Sequence, residues 1–365
     1  MASHPHEAGA SAEAPRPPRA GEELDPAALA GWFAELGFPA DGPLEVTQFP
    51  AGHSNLTYRV RSGSRSLVVR RPPVGAQVKS GHDMAREYRM LSALWGHFPV
   101  PRPLGLDEGK HFAVPHFAME EVQGQVLRKR PPPGVTAQVW ARVSGLTVET
   151  LASLHAIDPE AVGLGALHRG EGYARRQVEG WARRWELART GPDEVEPVAK
   201  LMRHLLDHIP ADAGAVVVHN DLKYDNLVFD DGLERVVAVL DWEMATVGCP
   251  WMDLGTSLGY WVEASDPPVM KMLAMGPTWA DGNLDRAGVV AHYEARTGRK
   301  VPSAVFYFAF GLFKIAVVAQ QIFKRFVEGR TSDPRFAALD KAVVALAELA
   351  LLALERDRLG GFGPR

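Results

Sequence analysis

His219-Asn220-Asp221-Leu222-Lys223-Tyr224-Asp225-Asn226 is the stretch of this sequence that decides the fold. It directly follows the apolar run 215–218, and fifteen residues after its end comes Asp241, which closes a second apolar run at 236–240. A polar turn at 230–232 separates the two runs, so the pattern predicts a loop, a strand, a turn and a second strand. This arrangement returns Asp241 to the side of the loop.

The residue types in this stretch suit phosphoryl transfer. Asp221 is the candidate base that accepts the proton of an attacking hydroxyl group. Asn226 and Asp241 are the candidate ligands of a magnesium ion on nucleotide phosphates, because amide and carboxylate oxygens at this spacing serve that purpose in phosphoryl-transfer sites. The sequence therefore indicates the chemistry of the site more clearly than it indicates the substrate.

The stretch, followed by Leu240-Asp241-Trp242-Glu243, resembles the catalytic loop and metal-binding segment of the aminoglycoside phosphotransferase family, the bacterial relatives of the protein-kinase fold. Gly248-Cys249-Pro250-Trp251-Met252-Asp253-Leu254 is similar to the Gly-x-Pro-x-x-Asp-Leu segment that follows in that family. The resemblance spans residues 40–265. It implies an α+β, protein-kinase-like fold with two lobes: a small antiparallel-sheet N-terminal lobe with one main helix, and a larger, mostly helical C-terminal lobe.

The resemblance also implies ATP and magnesium as cofactors and assigns roles to further residues. Lys223 would neutralise charge on the transferred phosphoryl group, with a solvated loop lysine as the alternative. Glu243 would reinforce the metal site. His219 could be a general base in another class of enzyme, but in a kinase-like site it supports the loop.

Composition is compatible with a two-lobed enzyme. The chain has 365 residues, of which 46% are hydrophobic and 23% charged, so it can bury a large core. Its net charge of −4 favours neither nucleic acid nor a membrane surface as a partner. A small hydroxyl-bearing molecule is the partner that the resemblance implies. The single cysteine and the lack of a signal-peptide pattern predict a cytoplasmic location. The sequence does not specify an oligomeric state.

Three domain segments are predicted along the chain. Residues 1–24 are rich in Ala, Pro, His and Glu and are expected to form a flexible tail. Residues 25–121 form the nucleotide-binding lobe, and residues 122–365 form the helical lobe with the catalytic loop and substrate site. Apolar periodicity predicts helices at 25–36, 81–95, 136–156, 172–190, 194–209, 251–264, 283–298, 302–328 and 333–356.

Three strand candidates, at 44–49, 56–61 and 66–71, open the nucleotide-binding lobe. The hairpin loop between the first two contains Gly52, Ser54 and Asn55, whose backbone amides are candidates for covering ATP phosphates; an ordinary turn is the alternative.

The third strand carries Arg70 where the related fold has a phosphate-binding lysine, and strand alternation sends only one of Arg70 and Arg71 to the nucleotide side. Glu87, on the helix that follows, is the candidate partner of Arg70, with a solvated carboxylate as the alternative. The resemblance further implies that the backbone from Glu120 to Val122 binds adenine.

The substrate is expected on the helical lobe. Arg176 and Arg183 lie seven residues apart and hence on one helix face, with Trp181 and Trp185 nearby, so the segment could bind an anionic planar group; a solvated basic face is the alternative.

The sequence resembles the branch of the family related to the kinase domain fused to acyl-CoA dehydrogenases in animals, which implies hydroxyacyl-CoA as the acceptor. An aminoglycoside acceptor would prefer carboxylates, and Glu263 and Asp266 could supply part of such a pocket. A catalytically silent, nucleotide-binding relative is a third possibility, which the replacement of lysine by Arg70 favours.

Overall fold

The computed structural model of the protein describes residues 15–50, 55–73, 83–331 and 333–363. Two compact units make up the chain, Met1–Gly96 with Val100–Val122 and His97–Pro99 with Gln123–Arg365. The first unit holds a five-stranded antiparallel sheet and the second is mainly helical. The architecture is therefore α+β, as predicted.

The sheet of the first unit has the strand order β1-β2-β3-β5-β4, with every neighbouring pair antiparallel. Its strands are β1 Glu45–Gln48, β2 Leu56–Ser62, β3 Arg65–Arg71, β4 Pro103–Asp107 and β5 His116–Glu120. The edge strand β4 was not predicted, because the prolines at 101 and 103 indicate only the end of the preceding helix. Pro103 instead begins the strand, at an edge where a missing N–H is tolerated.

Two helices accompany the sheet, α1 Pro26–Glu35 and α2 Met84–Leu94. The side chain of Asp25 caps α1 by accepting from the N–H of Ala27 over 2.8 Å, and Asp83 caps α2 by accepting from the N–H of Arg86 over 3.0 Å. The apolar side of α1 packs on one face of the sheet, where Trp32 joins Leu67 and Val69 in a single buried cluster.

Residues 15–24 contact the sheet, although composition predicts a flexible tail as far as residue 24. Arg16 exchanges two backbone hydrogen bonds with Gln48 in β1, of 2.9 and 2.6 Å, and Leu24 is buried in the cluster beneath the sheet. One apolar side chain and a backbone pairing hold this segment. The prediction rested on the average composition of residues 1–24, which does not reveal either contact.

The second unit contains eight helices among its described residues: α3 Ala137–His155, α4 Tyr173–Ala188, α5 Glu196–Asp207, α6 Pro250–Tyr260, α7 Pro268–Leu273, α8 Arg286–Thr297, α9 Ala304–Val327 and α10 Leu339–Arg356. Six of them fall within the predicted helical segments, α6 begins one residue before its predicted start at 251, and the short α7 was not predicted. Helix α9 packs against α4, α5, α6 and α10 and forms the centre of this unit.

Helix α9 is also long and apolar enough to cross a membrane by length and composition alone. However, 72% of its most apolar window is buried inside the protein, as in a core helix. The helix predicted at 302–328 is thus present, and most of it lies inside the protein.

Short strands carry the polar loops of the second unit. They are β6 Gln125–Val126, β7 Val216–Val218, β8 Leu227–Phe229, β9 Val236–Val239 and β10 Thr246–Gly248. Strands β6, β8 and β9 form one antiparallel sheet, and β7 pairs with β10. The stretch 219–226 therefore begins at a buried strand end and leads into another buried strand, which anchors it on both sides.

Candidate active site

Asp221 lies at the centre of a dense hydrogen-bond network. Its Oδ2 contacts the ammonium group of Lys223 and accepts from Nδ2 of Asn226 over 3.0 Å, while its Oδ1 accepts from the hydroxyl of Tyr260 over 2.8 Å. Burial disfavours the charged carboxylate, but Lys223 and the more distant Lys314 hold the pKa of Asp221 below its usual value. Asp221 is thus an ionised, oriented acceptor at neutral pH.

Lys223 bridges two carboxylates of the loop. Besides contacting Asp221, its Nζ lies 3.7 Å from Oδ1 of Asp225 and 5.0 Å from the centre of the Tyr260 ring. Burial disfavours its charge, but the two carboxylates outweigh burial and raise its pKa above the usual value. Lys223 therefore stays positively charged beside the candidate base and is not the exposed loop lysine of the alternative interpretation.

His219 links the loop to the segment that carries Asp241. Its Nε2 lies 2.9 Å from the carbonyl oxygen of Leu240, and its Nδ1 accepts from the N–H of Asp221 over 3.2 Å. A carbonyl oxygen only accepts, so the ring is the Nε2–H tautomer, and burial lowers its pKa and keeps it neutral. Because both nitrogens are engaged with backbone groups, His219 supports the loop and is not placed to act as a general base.

Asp253 holds the loop from behind. Its two carboxylate oxygens accept from the N–H groups of His219 and Asn220, each over 2.7 Å, and Oδ2 also lies 3.2 Å from Nε2 of His155. The hydroxyl of Tyr293 meets the other nitrogen of His155 at 2.8 Å. This network gives a physical role to the aspartate in the Gly-Cys-Pro-Trp-Met-Asp segment, which was recognised in the sequence without one.

The candidate metal ligands, Asn226 and Asp241, carry the oxygen donors that suit a magnesium ion bound to nucleotide phosphates. Nδ2 of Asn226 donates to Asp221, so its Oδ1 is on the opposite side of the amide, and no described residue donates to that oxygen. Asp241 has a left-handed backbone conformation, φ 68°, which is uncommon outside glycine and occurs at functional sites. The described residues contain no cluster of three or more His, Cys, Asp or Glu side chains suited to a metal. One amide and one carboxylate nevertheless match magnesium, which takes its other ligands from phosphates and water.

In the first unit, Arg70 and Glu87 form a buried ion pair. Nη1 of Arg70 lies 2.9 Å from Oε1 of Glu87, and their side chains are 9% and 2% exposed. Arg70 follows Val68 on the side of β3 that faces α2, whereas Leu67 and Val69 face the cluster under α1. Arg70, which the resemblance favours over Arg71, is thus the arginine that pairs with Glu87.

The other predicted nucleotide residues of this unit have different positions. Gly52 and Ser54 lie outside the described residues, and Asn55 is buried immediately before β2. The N–H of Glu120 already donates to the carbonyl of Arg102 over 2.9 Å, so this donor is used within the sheet and is not available to adenine. Val122 follows the end of β5 and stays a candidate for adenine binding.

The predicted substrate residues on α4 do not form one surface with the tryptophans. At about 100° per residue, Arg176 and Arg183 share a face, but Trp181 and Trp185 lie about 140° and about 180° away from Arg176. Both indoles are buried in the core, at 5% and 3% exposure. The predicted combination of two arginines with an accessible indole is therefore wrong, because the tryptophans belong to the packed side of the helix.

Of the two arginines, Arg183 is exposed and Arg176 is half-buried. Nη2 of Arg176 donates over 2.9 Å to the carbonyl of Gly170 in the preceding loop, and Arg183 makes a loose contact of 3.9 Å with Glu179. Glu243 is half-buried in the helical turn after Asp241. A substrate role for these residues stays a prediction.

Sequence analysis missed two residues of the site. Tyr260 ends α6 and Lys314 lies in α9, and they reach the loop across 39 and 94 residues of sequence, respectively. Neither belongs to a local motif. A charged residue within the apolar stretch at 305–318 was the only available signal for Lys314.

With this geometry established, comparisons with known proteins give its family. Residues 45–294 match the family model described as phosphotransferase enzyme family. Acyl-CoA dehydrogenase family member 11 of Rattus norvegicus is 32% identical over 337 residues, which cover 90% of this chain and 43% of the relative. The chain thus spans less than half the length of that curated relative.

Solved structures have the same architecture. A proposed aminoglycoside phosphotransferase from Ralstonia eutropha is 31% identical, covers 92% of this chain and 99% of its own, and superimposes with a TM-score of 0.77. An aminoglycoside phosphotransferase, APH(4)-Ia, in complex with AMP-PNP and hygromycin B shares the fold at 16% identity, with a TM-score of 0.54 and coverage of 87% and 98%. The protein-kinase-like fold predicted from the sequence is confirmed, and the chain belongs to the phosphotransferase enzyme family.

Proposed function

We propose that the protein is an ATP- and magnesium-dependent phosphotransferase that moves the γ-phosphoryl group of ATP to a hydroxyl group of a small molecule. The observation that carries this proposal is the carboxylate of Asp221. Lys223 and Asn226 hold its Oδ2, and Tyr260 holds its Oδ1, so a half-buried anion is oriented within the loop that also carries the candidate magnesium ligand Asn226.

In the proposed reaction the acceptor hydroxyl donates its hydrogen bond to Asp221. The hydroxyl oxygen forms a bond to the γ-phosphorus, the bond from that phosphorus to the bridging oxygen breaks, and ADP leaves with the electron pair. Asp221 takes the hydroxyl proton, and the charge of Lys223 offsets negative charge next to it. Asn226 and Asp241 would hold magnesium, which supplies neutralisation of phosphate charge when bound.

For the acceptor we favour a hydroxyacyl-CoA. The support is the 30–32% identity to acyl-CoA dehydrogenase family members 10 and 11, which covers most of this chain but less than half of those proteins. The exposed Arg183 and the half-buried Arg176 add positive charge that suits the phosphates of such an acceptor.

An aminoglycoside acceptor has less support from the residues of the second unit. Glu263 and Asp266, the carboxylates considered for a polycation, both face the guanidinium of Arg286, which is fully buried. That guanidinium also donates to the carbonyls of Trp261 and Leu359. Its single charge offsets one of the two carboxylates, and burial raises the pKa of Glu263, so the pair offers little attraction to a cationic antibiotic.

A catalytically silent relative is the other alternative, and Arg70 was its main support. The buried pair with Glu87 weakens this argument, because it positions a cation much as the usual lysine–glutamate pair would. A silent protein also has no chemical need for a base, a cation and an amide around one carboxylate.

The test is turnover of Mg²⁺-ATP by the full chain, measured as ADP release and as phosphorylated product, with a panel of hydroxyacyl-CoA esters, aminoglycosides and small alcohols. Asp221→Asn is expected to lower kcat by about 100- to 10,000-fold, the usual contribution of a general base. Asp231→Asn, in the exposed turn after β8, is the matched control and is expected to retain activity.

Three outcomes would change the proposal. Phosphorylation of an aminoglycoside but of no hydroxyacyl-CoA would overturn the acceptor and leave phosphoryl transfer in place. Full activity of Asp221→Asn would overturn the assignment of the base. If no panel member is phosphorylated and Mg²⁺-ATP does not raise the melting temperature, the phosphotransferase proposal fails.

A further inference from the structure

Lys314 is a buried cation that the proposed mechanism does not use. It lies within α9, the central helix of the second unit, and is 2% exposed. Its ammonium group donates a hydrogen bond to the carbonyl oxygen of Asn220, the residue before Asp221. The same group lies 5.5 Å from the centre of the Trp181 ring on α4.

No carboxylate among the described residues lies within 4.0 Å of this ammonium group, so Lys314 is not half of an ordinary salt bridge. The charged groups around it come from three elements: Asp221 and Lys223 in the catalytic loop, Asp253 on α6 and Arg184 on α4. Two of these are anions and two are cations. The contact that orients Lys314 is therefore the backbone carbonyl of Asn220.

Burial of an ammonium group without a close counter-ion costs several kcal/mol. A methionine would fill a comparable volume in α9 without this cost, so packing alone does not account for a lysine here. The carbonyl that it binds belongs to a residue with a left-handed backbone, φ 64° at Asn220, directly next to the candidate base. Such a conformation persists only where surrounding contacts hold it.

We propose that Lys314 is a positioning residue of the active site, whose ammonium group fixes the Asn220 carbonyl and thereby the backbone that presents Asp221. This inference rests on the proposed phosphotransferase function for its catalytic consequence, although the anchoring itself does not. Lys314 touches neither the acceptor nor the nucleotide in this role. It acts through the loop.

Close packing of α9 on α6 supports a fixed position for Lys314. A Cβ at Gly311 would lie 2.1 Å from the carbonyl oxygen of Gly255, and one at Gly259 would lie 2.8 Å from the carbonyl carbon of Gly311. The two helices therefore approach backbone to backbone, one turn away from Lys314. Helix α6 also carries Asp253, which binds the amides of the same loop, so the two helices hold opposite polar groups of one backbone segment.

The proposal predicts a dependence on pH that a purely structural lysine would not give. Burial lowers the pKa of Lys314 to about 8. As the pH rises above about 8, the ammonium group loses its proton and its charge, and kcat is expected to fall. Stability should change in the opposite direction: between about pH 8 and about pH 10 the unfolded chain binds more protons at this residue than the folded chain, so the free energy of unfolding rises with pH from this group.

Three variants test the anchoring. Lys314→Met removes the charge and the donor, and Lys314→Gln removes the charge but keeps an N–H donor. Lys324→Met is the matched control. Lys324 lies on the same helix and donates over 2.8 Å to a backbone carbonyl, that of Leu187, which is not part of the catalytic loop. The measurements are kcat and KM for Mg²⁺-ATP with the best acceptor of the panel, and hydrogen–deuterium exchange of the peptide covering residues 216–229 without any ligand.

Lys314→Met is expected to lower kcat by about 10- to 100-fold, as misplacement of a base does, with little change in KM for ATP. It should also speed exchange of the loop amides, and the alkaline fall in kcat seen in the unsubstituted protein should be absent. Lys314→Gln should recover part of the exchange protection, and Lys324→Met should match the unsubstituted protein in every measurement.

Unchanged kcat and unchanged loop exchange in Lys314→Met would overturn the proposal, as would equal effects in Lys324→Met. If the unsubstituted protein phosphorylates nothing, the phosphotransferase function fails by itself, and loop exchange alone then decides the anchoring. Should neither Lys314 variant fold, the unsubstituted protein still provides a test: a kcat that does not fall above about pH 8 contradicts the role of the charge.

Discussion

The hydroxyl of Tyr260 donates to Oδ1 of Asp221 over 2.8 Å, so the two oxygens of this carboxylate have different partners. Oδ2 is engaged by Lys223 and Asn226, which use both of its lone-pair directions. Among the residues that the structure describes, Oδ1 accepts from Tyr260 alone, so it retains one direction. We therefore expect the acceptor hydroxyl to approach Oδ1, beside the phenol ring.

Tyr260→Phe is expected to lower kcat by about tenfold, because loss of a hydrogen bond to a charged group costs about 1.5–3 kcal/mol and leaves Asp221 less well oriented. The measurement is steady-state turnover of Mg²⁺-ATP and acceptor. Tyr307→Phe is the control, since the hydroxyl of Tyr307 is buried without a hydrogen-bond partner among the described residues and its loss should leave turnover unchanged. Equal kcat for Tyr260→Phe and the unsubstituted protein would contradict the orienting role.

The helices of the second unit could be predicted from the sequence because each repeats its apolar residues over several turns. Helix α3 was predicted at 136–156 and runs from Ala137 to His155, with the same agreement for α4 and α9. Strands β7 and β10 contain three residues each, too few to show alternation. The buried side of α4 was misjudged because its tryptophans, although close in sequence to Arg176, lie across the helix.

The catalytic loop was found because its polar residues lie within eight positions and close to a strand, where local patterns are informative. Tyr260 and Lys314 reach the same loop only through the packing of α6 and α9, which no local pattern specifies. The role of Asp253 was equally hidden, since its partners are backbone amides without a sequence signature. Sequence motifs thus predicted the candidate reacting groups, whereas the groups that contact them could be found only from the structure.

Glu87→Gln is expected to weaken nucleotide binding in the first unit. Loss of the carboxylate charge breaks the buried pair with Arg70 and releases the guanidinium from its position, so the KM for ATP should rise by about tenfold. The exposed pair between Lys110 and Glu35, 2.6 Å apart in the same unit, supplies the control. Glu35→Gln should change neither KM nor stability by a measurable amount, as is usual for surface pairs. A KM for Glu87→Gln equal to that of Glu35→Gln would contradict a nucleotide role for the Arg70 pair.

His116 is expected to make the first unit sensitive to acid. Burial lowers the pKa of this side chain to about 4, and its ring stacks on Phe112 with the centroids 4.2 Å apart. Between about pH 4 and about pH 6.5 the unfolded chain binds a proton that the folded chain does not, so stability falls as the pH drops through this window, by up to about 3 kcal/mol. His116→Phe keeps the stack and should flatten this part of the stability curve, measured by denaturant unfolding at several pH values. Substitution of the exposed His97 by Asn is the control, and the same acid dependence in His116→Phe would contradict the assignment.

Asp253→Asn separates loop anchoring from chemistry. The carboxylate accepts from the N–H groups of His219 and Asn220, and an amide can replace only one of these oxygens, so one buried N–H faces another donor. We expect a loss of about 2–4 kcal/mol in the free energy of unfolding, together with a lower kcat, because the loop that presents Asp221 loses a backbone restraint. Chemical denaturation followed by circular dichroism measures the first effect, and turnover measures the second. Asp340→Asn, on an exposed position of α10, is the control for loss of a carboxylate alone. A variant with normal stability and normal kcat would show that Asp253 does not hold the loop. A loss of stability with normal kcat would show that Asp253 contributes to folding but not to turnover.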